Sequence, residues 1–451
     1  SNLASPGVQG GALIIVGEDY GEGASVIQER THAFAVKSSL WLIDPRPDLP
    51  TLVRSVEKGF ELSEASNTPV ILELRIRACH MFGSFLAKDN VPAAHSAKHR
   101  LAPARFNYDR LSHPPATFRQ EVDKNDRRLP AARRFIVDNK LNERLGPADG
   151  DIGIIVQGGL FNVLNGRLAL AGLSDLDGTT AVPTLVLNVV HPLVPEEISS
   201  FCAGKKAVLV VEEGAPDFIE QAVGQILRKA DVQTKLHGKG LLPMAGEYTP
   251  LVVGKALAAF CTSYGHFVPA LDRWIAGVEA QRAEVDKAIG APLPARPPTF
   301  CTGCPERPVF SAMKLLRQEM GPVHVSADIG CHSFATFAPF SQGNSILGYG
   351  MSLASAAAVS GTQTNRPISV MGDGGFWHNG LITGVAGAVF NKDDSVLIVM
   401  NNGYASATGQ QDILSSKEEV DGRGRGLDVE SALKSMGVPW IRRVHTYGVA
   451  G

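Results

Sequence analysis

The sequence predicts a multi-domain α/β protein built on parallel sheets, and three observations carry that expectation. The chain has 451 residues, enough for two to four domains with separate cores. Short apolar runs of strand length recur along it, separated by stretches whose apolar residues repeat at helical spacing. Several of those runs end in glycine-containing loops, the connection expected at the carboxyl edge of an open α/β sheet.

Taken in order, strands are expected at 12–16, 41–43 and 70–76. An amphipathic helix at 52–65 places Val56, Phe60 and Leu62 among charged neighbours. Residues 88–147 are rich in Pro, Lys, Arg and Asp and read as a connecting segment with one or two surface helices. Within it Pro103-Ala104-Arg105 and Asp126-Arg127-Arg128 read as a solvated face. A second α/β unit begins at Asp151, with strands at 152–157, 184–189 and 207–211 and a helix at 216–227 that carries Pro216 in its first turn. Glu212-Glu213-Gly214 falls at a strand end, where it is either a functional pair or the acidic start of the next helix. A helix at 270–289 and the proline-rich 291–298 lead into the last domain. The expected boundaries are 1–88, 89–147 (linker), 148–290 and 291–451.

Composition narrows the class. Hydrophobic residues make up 44% and charged residues 20%, an ordinary globular balance. A formal net charge of -2, with no basic stripe interleaved with aromatics, argues against nucleic-acid binding as the main task. The longest apolar stretches, such as 11–17, are far short of a bilayer span, so no membrane segment is expected. Ser1-Asn2-Leu3-Ala4-Ser5 shows neither a signal-peptide pattern nor an initiator Met, which suggests a chain beginning inside a larger protein. Six cysteines are too few for a disulfide scaffold. Their clustering points to a reducing, cytoplasmic setting and to metal or redox chemistry.

The chemistry concentrates in the last domain. The apolar run 367–371 is followed by Gly372-Asp373-Gly374-Gly375, glycines that let the backbone turn tightly and approach a phosphate. Phe376, Leu381, Ile382, Val385, Val389 and Phe390 then recur at helical spacing. Asn391-Lys392-Asp393-Asp394 ends that helix, and 395–400 forms the next strand. Twenty-six residues separate Gly374 from Asn401-Asn402, so a right-handed crossover brings Asp373 and Asn402 to one sheet edge. This spacing reads as a thiamine diphosphate site. One carboxylate, one amide oxygen and a backbone carbonyl, supplied by Tyr404, suit Mg2+ and leave room for diphosphate oxygens. The alternative is a dinucleotide-type turn with Asn402 capping a loop.

Cys301-Thr302-Gly303-Cys304-Pro305 precedes an amphipathic helix bearing Val309, Phe310, Met313, Leu316 and Met320. Asp328-Ile329-Gly330-Cys331-His332 follows a strand at 323–327. Cys301, Cys304 and Cys331 can therefore meet near the same edge as Asp373. Zinc would accept them with His332, an iron-sulfur cluster would want a fourth thiolate, and unligated thiols are the third possibility. Cys79, Cys202 and Cys261 read as buried small hydrophobes.

The motifs Cys301 to Arg307, Ser326 to Cys331, Gly372-Asp373-Gly374 and Asn401-Asn402-Gly403-Tyr404-Ala405-Ser406-Ala407-Thr408-Gly409 together resemble the indolepyruvate ferredoxin oxidoreductase alpha subunit, across essentially the whole chain. Gly17 to Gly23 and Gln28-Glu29-Arg30 resemble the second half of that family's pyrimidine-binding domain. The middle resembles its transketolase C-terminal-like domain, and the last part its diphosphate-binding domain.

The resemblance implies oxidative decarboxylation of an aryl 2-oxo acid, with coenzyme A as acyl acceptor and ferredoxin as electron acceptor. It also implies a beta subunit and a dimer of heterodimers. It implies that Cys301, Cys304 and Cys331 hold a 4Fe-4S cluster, whose fourth cysteine would follow Gly451. The glutamate that activates the cofactor would precede Ser1. Within this frame Gly372, Gly374, Gly375, Gly330 and Cys331 are cofactor-binding candidates. Leu347 is expected either to support the bent cofactor or to be a plain core leucine. His378 is a catalytic candidate or a helix cap. Arg30 either meets the substrate carboxylate or pairs at the surface with Glu29 or Glu22. The alternatives are a non-oxidative thiamine diphosphate decarboxylase or synthase and a non-catalytic zinc-knot assembly subunit.

Overall fold

Runs rich in valine, isoleucine and leucine form the strands of the computed structural model, which describes residues 2–20, 28, 30–91, 106–175, 178–293, 297–416 and 426–448. The chain divides into two units, Ser1–Pro292 and Leu293–Gly451.

In the first unit β1 (Leu13–Glu18), β2 (Trp41–Ile43) and β3 (Val70–Arg75) are followed by β4 (Glu143–Leu145), β5 (Ile152–Gln157), β6 (Thr184–Leu187), β7 (Val189–His191), β8 (Ala207–Val211) and β9 (Lys235–His237). They form two sheets, β1-β3-β2-β7 and β4-β6-β5-β8-β9. All pairings are parallel except β2 with β7 and β4 with β6. Alternation along β5 sends Ile152, Ile154 and Val156 to one apolar core and Ile155 to the other, as expected of a strand covered on both faces.

The run expected as one strand at 184–189 is divided between the two sheets. Asn188 is the cause: its Nδ2 donates to the Leu141 carbonyl and to Glu143 Oε1, and its Oδ1 accepts from the Arg46 amide, so the chain turns there from one sheet to the other. The helix expected at 52–65 spans Leu49–Ser66 and is capped by the Asp48 carboxylate. The connecting segment contains helices Ala116–Asp123 and Leu129–Asp138, joined by a π turn at Lys124–Arg128. Arg127 lies on a solvated face, paired with Asp123. Arg128, however, is buried and donates to the Ala4 carbonyl. Pro103-Ala104-Arg105 lies outside the described residues.

The second unit is built on β10 (Val325–Ala327), β11 (Ser345–Ile346), β12 (Ile368–Gly372) and β13 (Val396–Met400), in the all-parallel order β11-β10-β12-β13. Helix Glu306–Met320 covers one face through Phe310 and Met313, and Phe376 and Val385 cover the other with Leu353. Helical structure from Asp373 to Asn391 takes π winding across Phe376–Val385. Bonds from i to i+5 shift the register of the face. Ile382 and Phe390, expected on the buried stripe, are instead 67% and 87% exposed. Among the described residues no helix is long and apolar enough to cross a membrane.

Candidate active site

Parallel pairing of β10, β12 and β13 delivers their carboxyl ends to one edge, and each end carries a motif residue. Asp373, the first residue after β12, is 1% exposed. Its Oδ2 accepts from the Gly403 amide and from the Ser415 hydroxyl, both at 2.8 Å, so the loop after β13 is tied to the end of β12. Asn402 is exposed in that loop, its Oδ1 accepting from the Tyr404 amide at 3.3 Å and its Nδ2 donating to Ser406 at 3.2 Å. Asp373 and Asn402 thus stand on adjacent strand ends as the spacing predicts. The sequence did not point to Ser415, which lies 42 residues beyond Asp373 in an irregular segment.

Asp328, after β10, is fully buried. Its carboxylate accepts from the Gly350 amide at 2.7 and 2.8 Å and from the Met351 amide at 3.2 Å. Burial pushes its carboxyl up to about 6, against these amides and the charge of His378. The two glycines after Asp373 are fixed by close approach. A Cβ at Gly375 would lie 2.1 Å from Asp328 Oδ2, and one at Gly374 would lie 2.2 Å from the Tyr349 hydroxyl. Gly372, by contrast, has only His332 within van der Waals reach, at 3.7 Å. His378 is exposed, with its ring 5.1 Å from that of Tyr349. Leu347 is 65% exposed, which removes the core-leucine reading.

The cysteines gather beside this edge. The Cys304 amide donates to the Cys301 carbonyl at 3.2 Å, closing the expected turn. Burial raises the Cys304 and Cys331 thiols, and each is raised further by the charge of the neighbouring cysteines. Ser406, in the loop after β13, acts the other way on the Cys331 thiol and lowers it. Gly330 takes φ +155, where an added Cβ would lie 2.6 Å from the His332 ring. His332 itself is 3% exposed, and burial lowers its imidazole to about 4. Among the described residues no group of three or more His, Cys, Asp or Glu side chains is placed to hold a metal ion. Cys301, Cys304, Cys331 and His332 are therefore not assembled as the ligand set of one zinc ion. A multi-iron cluster spreads its irons over several positions, so its thiolates need not converge on a point.

The first unit holds an ionic network at the ends of its strands that the sequence did not disclose. Arg75, at the end of β3, meets Asp44 at 2.9 Å, Glu73 at 3.3 Å and Glu213 at 2.5 Å. Arg77 meets Glu213 at 2.9 Å. Arg30 is buried rather than at the surface; it pairs with Glu212 and donates to the Glu213 carbonyl at 2.6 Å. Glu22 and Glu29, its expected surface partners, lie outside the described residues. Glu212 also accepts from the Ile219 and Glu220 amides and so starts the helix Phe218–Lys229, whereas the Glu213 carboxylate faces Arg75 and Arg77 instead. Burial raises the Asp44, Glu73 and Glu212 carboxyls. Cys202 and Cys261 are buried as expected, but Cys79 ends a short helix in solvent because the strand before it stops at Arg75.

Residues 328–449 match the family described as thiamine pyrophosphate enzyme, C-terminal TPP binding domain. Curated relatives extend the likeness to nearly the whole chain. The indolepyruvate oxidoreductase subunit IorA of Methanothermobacter thermautotrophicus is 27% identical over 99% of this chain and 68% of its own length. That of Pyrococcus horikoshii is 25% identical over 98% of this chain and 67% of its own. The chain is similar to IorA subunits over nearly its whole length and, in its last part, to the thiamine pyrophosphate-binding domain. Asp328, Asp373, Asn402 and Tyr404 all fall inside the segment matched by the thiamine pyrophosphate family, whereas Cys301 and Cys304 precede it. A solved structure, the 2-oxoglutarate:ferredoxin oxidoreductase from Magnetococcus marinus with 2-oxoglutarate, coenzyme A and succinyl-CoA bound, matches 53% of this chain and 47% of its own at TM-score 0.34 and 16% identity.

Proposed function

We propose that this chain is the thiamine diphosphate-binding subunit of an enzyme that oxidatively decarboxylates an aryl 2-oxo acid of the indolepyruvate or phenylpyruvate type. The product is the aryl-acetyl-CoA, and 4Fe-4S centres pass the electrons to ferredoxin. A beta subunit completes the assembly as a dimer of heterodimers. The observation that carries the oxidative reading is the parallel pairing of β12 with both β10 and β13, which puts the loop bearing Cys331 on the same sheet edge as the loops bearing Asp373 and Asn402. A cofactor held by the last two would lie beside an electron acceptor held by the first.

Bound thiamine diphosphate supplies the nucleophilic carbon and the electron sink. The chain supplies the frame. Asp373, Asn402 and the Tyr404 carbonyl form a hard oxygen set for Mg2+. Both hydrogen bonds from described residues to the Asp373 carboxylate fall on Oδ2, which leaves Oδ1 to the cation. Gly372, Gly374 and Gly375 present backbone to the diphosphate, and Gly330 and Cys331 border it. Exposed Leu347 is assigned to the underside of the cofactor and His378, beside Tyr349, to the reacting carbon. Arg30 would meet a substrate carboxylate by exchanging Glu212 for it.

The test is anaerobic purification of the full-length protein, with iron, acid-labile sulfide, zinc and thiamine assayed together. Iron and sulfide accompanying thiamine diphosphate are expected. A colourless protein that holds thiamine diphosphate without either would replace this reading with a non-oxidative decarboxylase. Stoichiometric zinc without thiamine would make it an assembly subunit.

A further inference from the structure

Building on the diphosphate site proposed above, we infer that the Tyr349 hydroxyl is a hydrogen-bond donor to the cofactor's diphosphate, held over the Gly372-Asp373-Gly374 turn by the grip of Asp328 on the residue that follows it. Neither the segment from Gly372 to Gly380 nor the loop from Asn401 to Asp412 contains Lys or Arg. A diphosphate at these strand ends therefore meets backbone amides and the proposed Mg2+, and a side-chain donor has to come from a third segment.

The approach of Tyr349 is fixed from both sides. Asp328, fully buried after β10, accepts from the Gly350 amide at 2.7 and 2.8 Å and from the Met351 amide at 3.2 Å, which anchors the chain directly after Tyr349. Gly350 takes φ +80, and a Cβ there would lie 2.6 Å from the Gly375 carbonyl oxygen, so this loop is pressed onto the turn after β12. From that anchor Tyr349 reaches Gly374. A Cβ at Gly374 would stand 2.2 Å from the Tyr349 hydroxyl oxygen, 3.4 Å from its Cζ and 3.5 Å from Ala405 Cβ. Asp373 adjoins Gly374 and Tyr404 adjoins Ala405, so the hydroxyl lies beside both loops that carry the proposed Mg2+ ligands.

A partly exposed tyrosine commonly gives its hydroxyl to water, and Tyr349 is 36% exposed. Two observations go further than that. The hydroxyl is the end that closes on Gly374, at a place that any residue larger than glycine would take from it. It also has no hydrogen-bond partner among the described residues, so its proton is free for a ligand. Burial, then the charges of Asp328 and Asp373, raise the phenol, which keeps that proton in place.

The experiment is calorimetric titration of the full-length protein and its variants with thiamine diphosphate and, separately, with inorganic pyrophosphate, each with Mg2+. Tyr349→Phe keeps the ring beside His378 and removes only the hydroxyl. It is expected to weaken both ligands by the same factor, about ten- to a hundredfold, and to leave the urea midpoint of the cofactor-free protein unchanged. Gly374→Ala checks the placement of the hydroxyl. It should lower the urea midpoint of the cofactor-free wild type, and lower it less in the Tyr349→Phe background, where Cζ leaves room for the methyl. The inference is overturned if Tyr349→Phe binds both ligands as tightly as the wild type, or loses affinity for thiamine diphosphate alone. A lowered midpoint in Tyr349→Phe, or an equal cost of Gly374→Ala in both backgrounds, overturns it as well. Asp373→Ala, expected to bind neither ligand, separates the two readings: if it loses binding while Tyr349→Phe does not, the diphosphate site stands without the hydroxyl. A wild-type protein that takes up neither ligand overturns both.

Discussion

Asp373 Oδ2 accepts two hydrogen bonds in a buried place, so its replacement has a structural cost separate from any loss of cofactor. Asp373→Ala leaves the Gly403 amide and the Ser415 hydroxyl without an acceptor. It is expected to destabilise the cofactor-free protein by about 1–3 kcal/mol, and Ser415→Ala by about 0.5–1.5 kcal/mol, in urea titration. Equal midpoints for wild type and Asp373→Ala would show that the carboxylate does not hold the loop. The glycines make a sharper comparison. A methyl at Gly375 would sit 2.1 Å from Asp328 Oδ2, whereas one at Gly387 would meet nothing within 4 Å. Gly375→Ala should therefore lower stability by about 1–3 kcal/mol while Gly387→Ala stays neutral or slightly stabilising. These residues were readable because Asp373 and its glycines are contiguous and Asn402 follows one crossover later. Asp328's grip on Gly350 and Ser415's on Asp373 were not, since nothing local records which loop folds back onto a strand end.

At the scale of elements, β3 and β8 belong to different sheets, yet Arg75 and Glu213 join their ends. Arg75→Met would leave Asp44, Glu73 and Glu213 each short of a charged partner in a buried place. A loss of about 3–5 kcal/mol in the unfolding of the first unit is expected, and Arg75→Lys should recover only part, because a point charge cannot serve three carboxylates at once. If Arg75→Met unfolds at the wild-type urea concentration, the network is not what joins these strands. Strands 41–43, 152–157 and 207–211 were legible to the residue as short apolar runs. The network was hidden because Arg30 and Glu212 are 182 positions apart and each looks locally like a surface charge. Helix Thr31–Ser38 carries a titrating member of this region. Burial first, then Arg30 and His191, lower His32 to about 3. Its folded value lies below the unfolded one near 6.5, so its contribution is complete above pH 6.5 and falls away as pH drops toward 3. His32→Gln should reduce the stability lost between pH 6.5 and pH 4.5 by about 2 kcal/mol, measured by urea unfolding at each pH. An unchanged pH dependence would mean that His32 is not held neutral.

At the scale of the whole molecule, the division at Pro292 separates cores that share no residue, those around β5 and β2 in the first unit and those around β12 in the second. Each unit is compact by itself and carries its own buried sheets, so calorimetry is expected to resolve two transitions. The substitutions above assign them: Arg75→Met should lower one and Asp373→Ala the other. Thiamine diphosphate with Mg2+, if bound as proposed to the folded second unit through Asp373 and Asn402, should by mass action stabilise that unit by about 2.7 kcal/mol at a hundredfold excess over Kd. The upward shift should appear in the transition that Asp373→Ala lowers, vanish in Asp373→Ala, and survive in Arg75→Met. A shift of both transitions together in the wild type would mean that the cofactor couples the two units. A shift that persists in Asp373→Ala would mean that the diphosphate is held elsewhere than at the ends of β12 and β13.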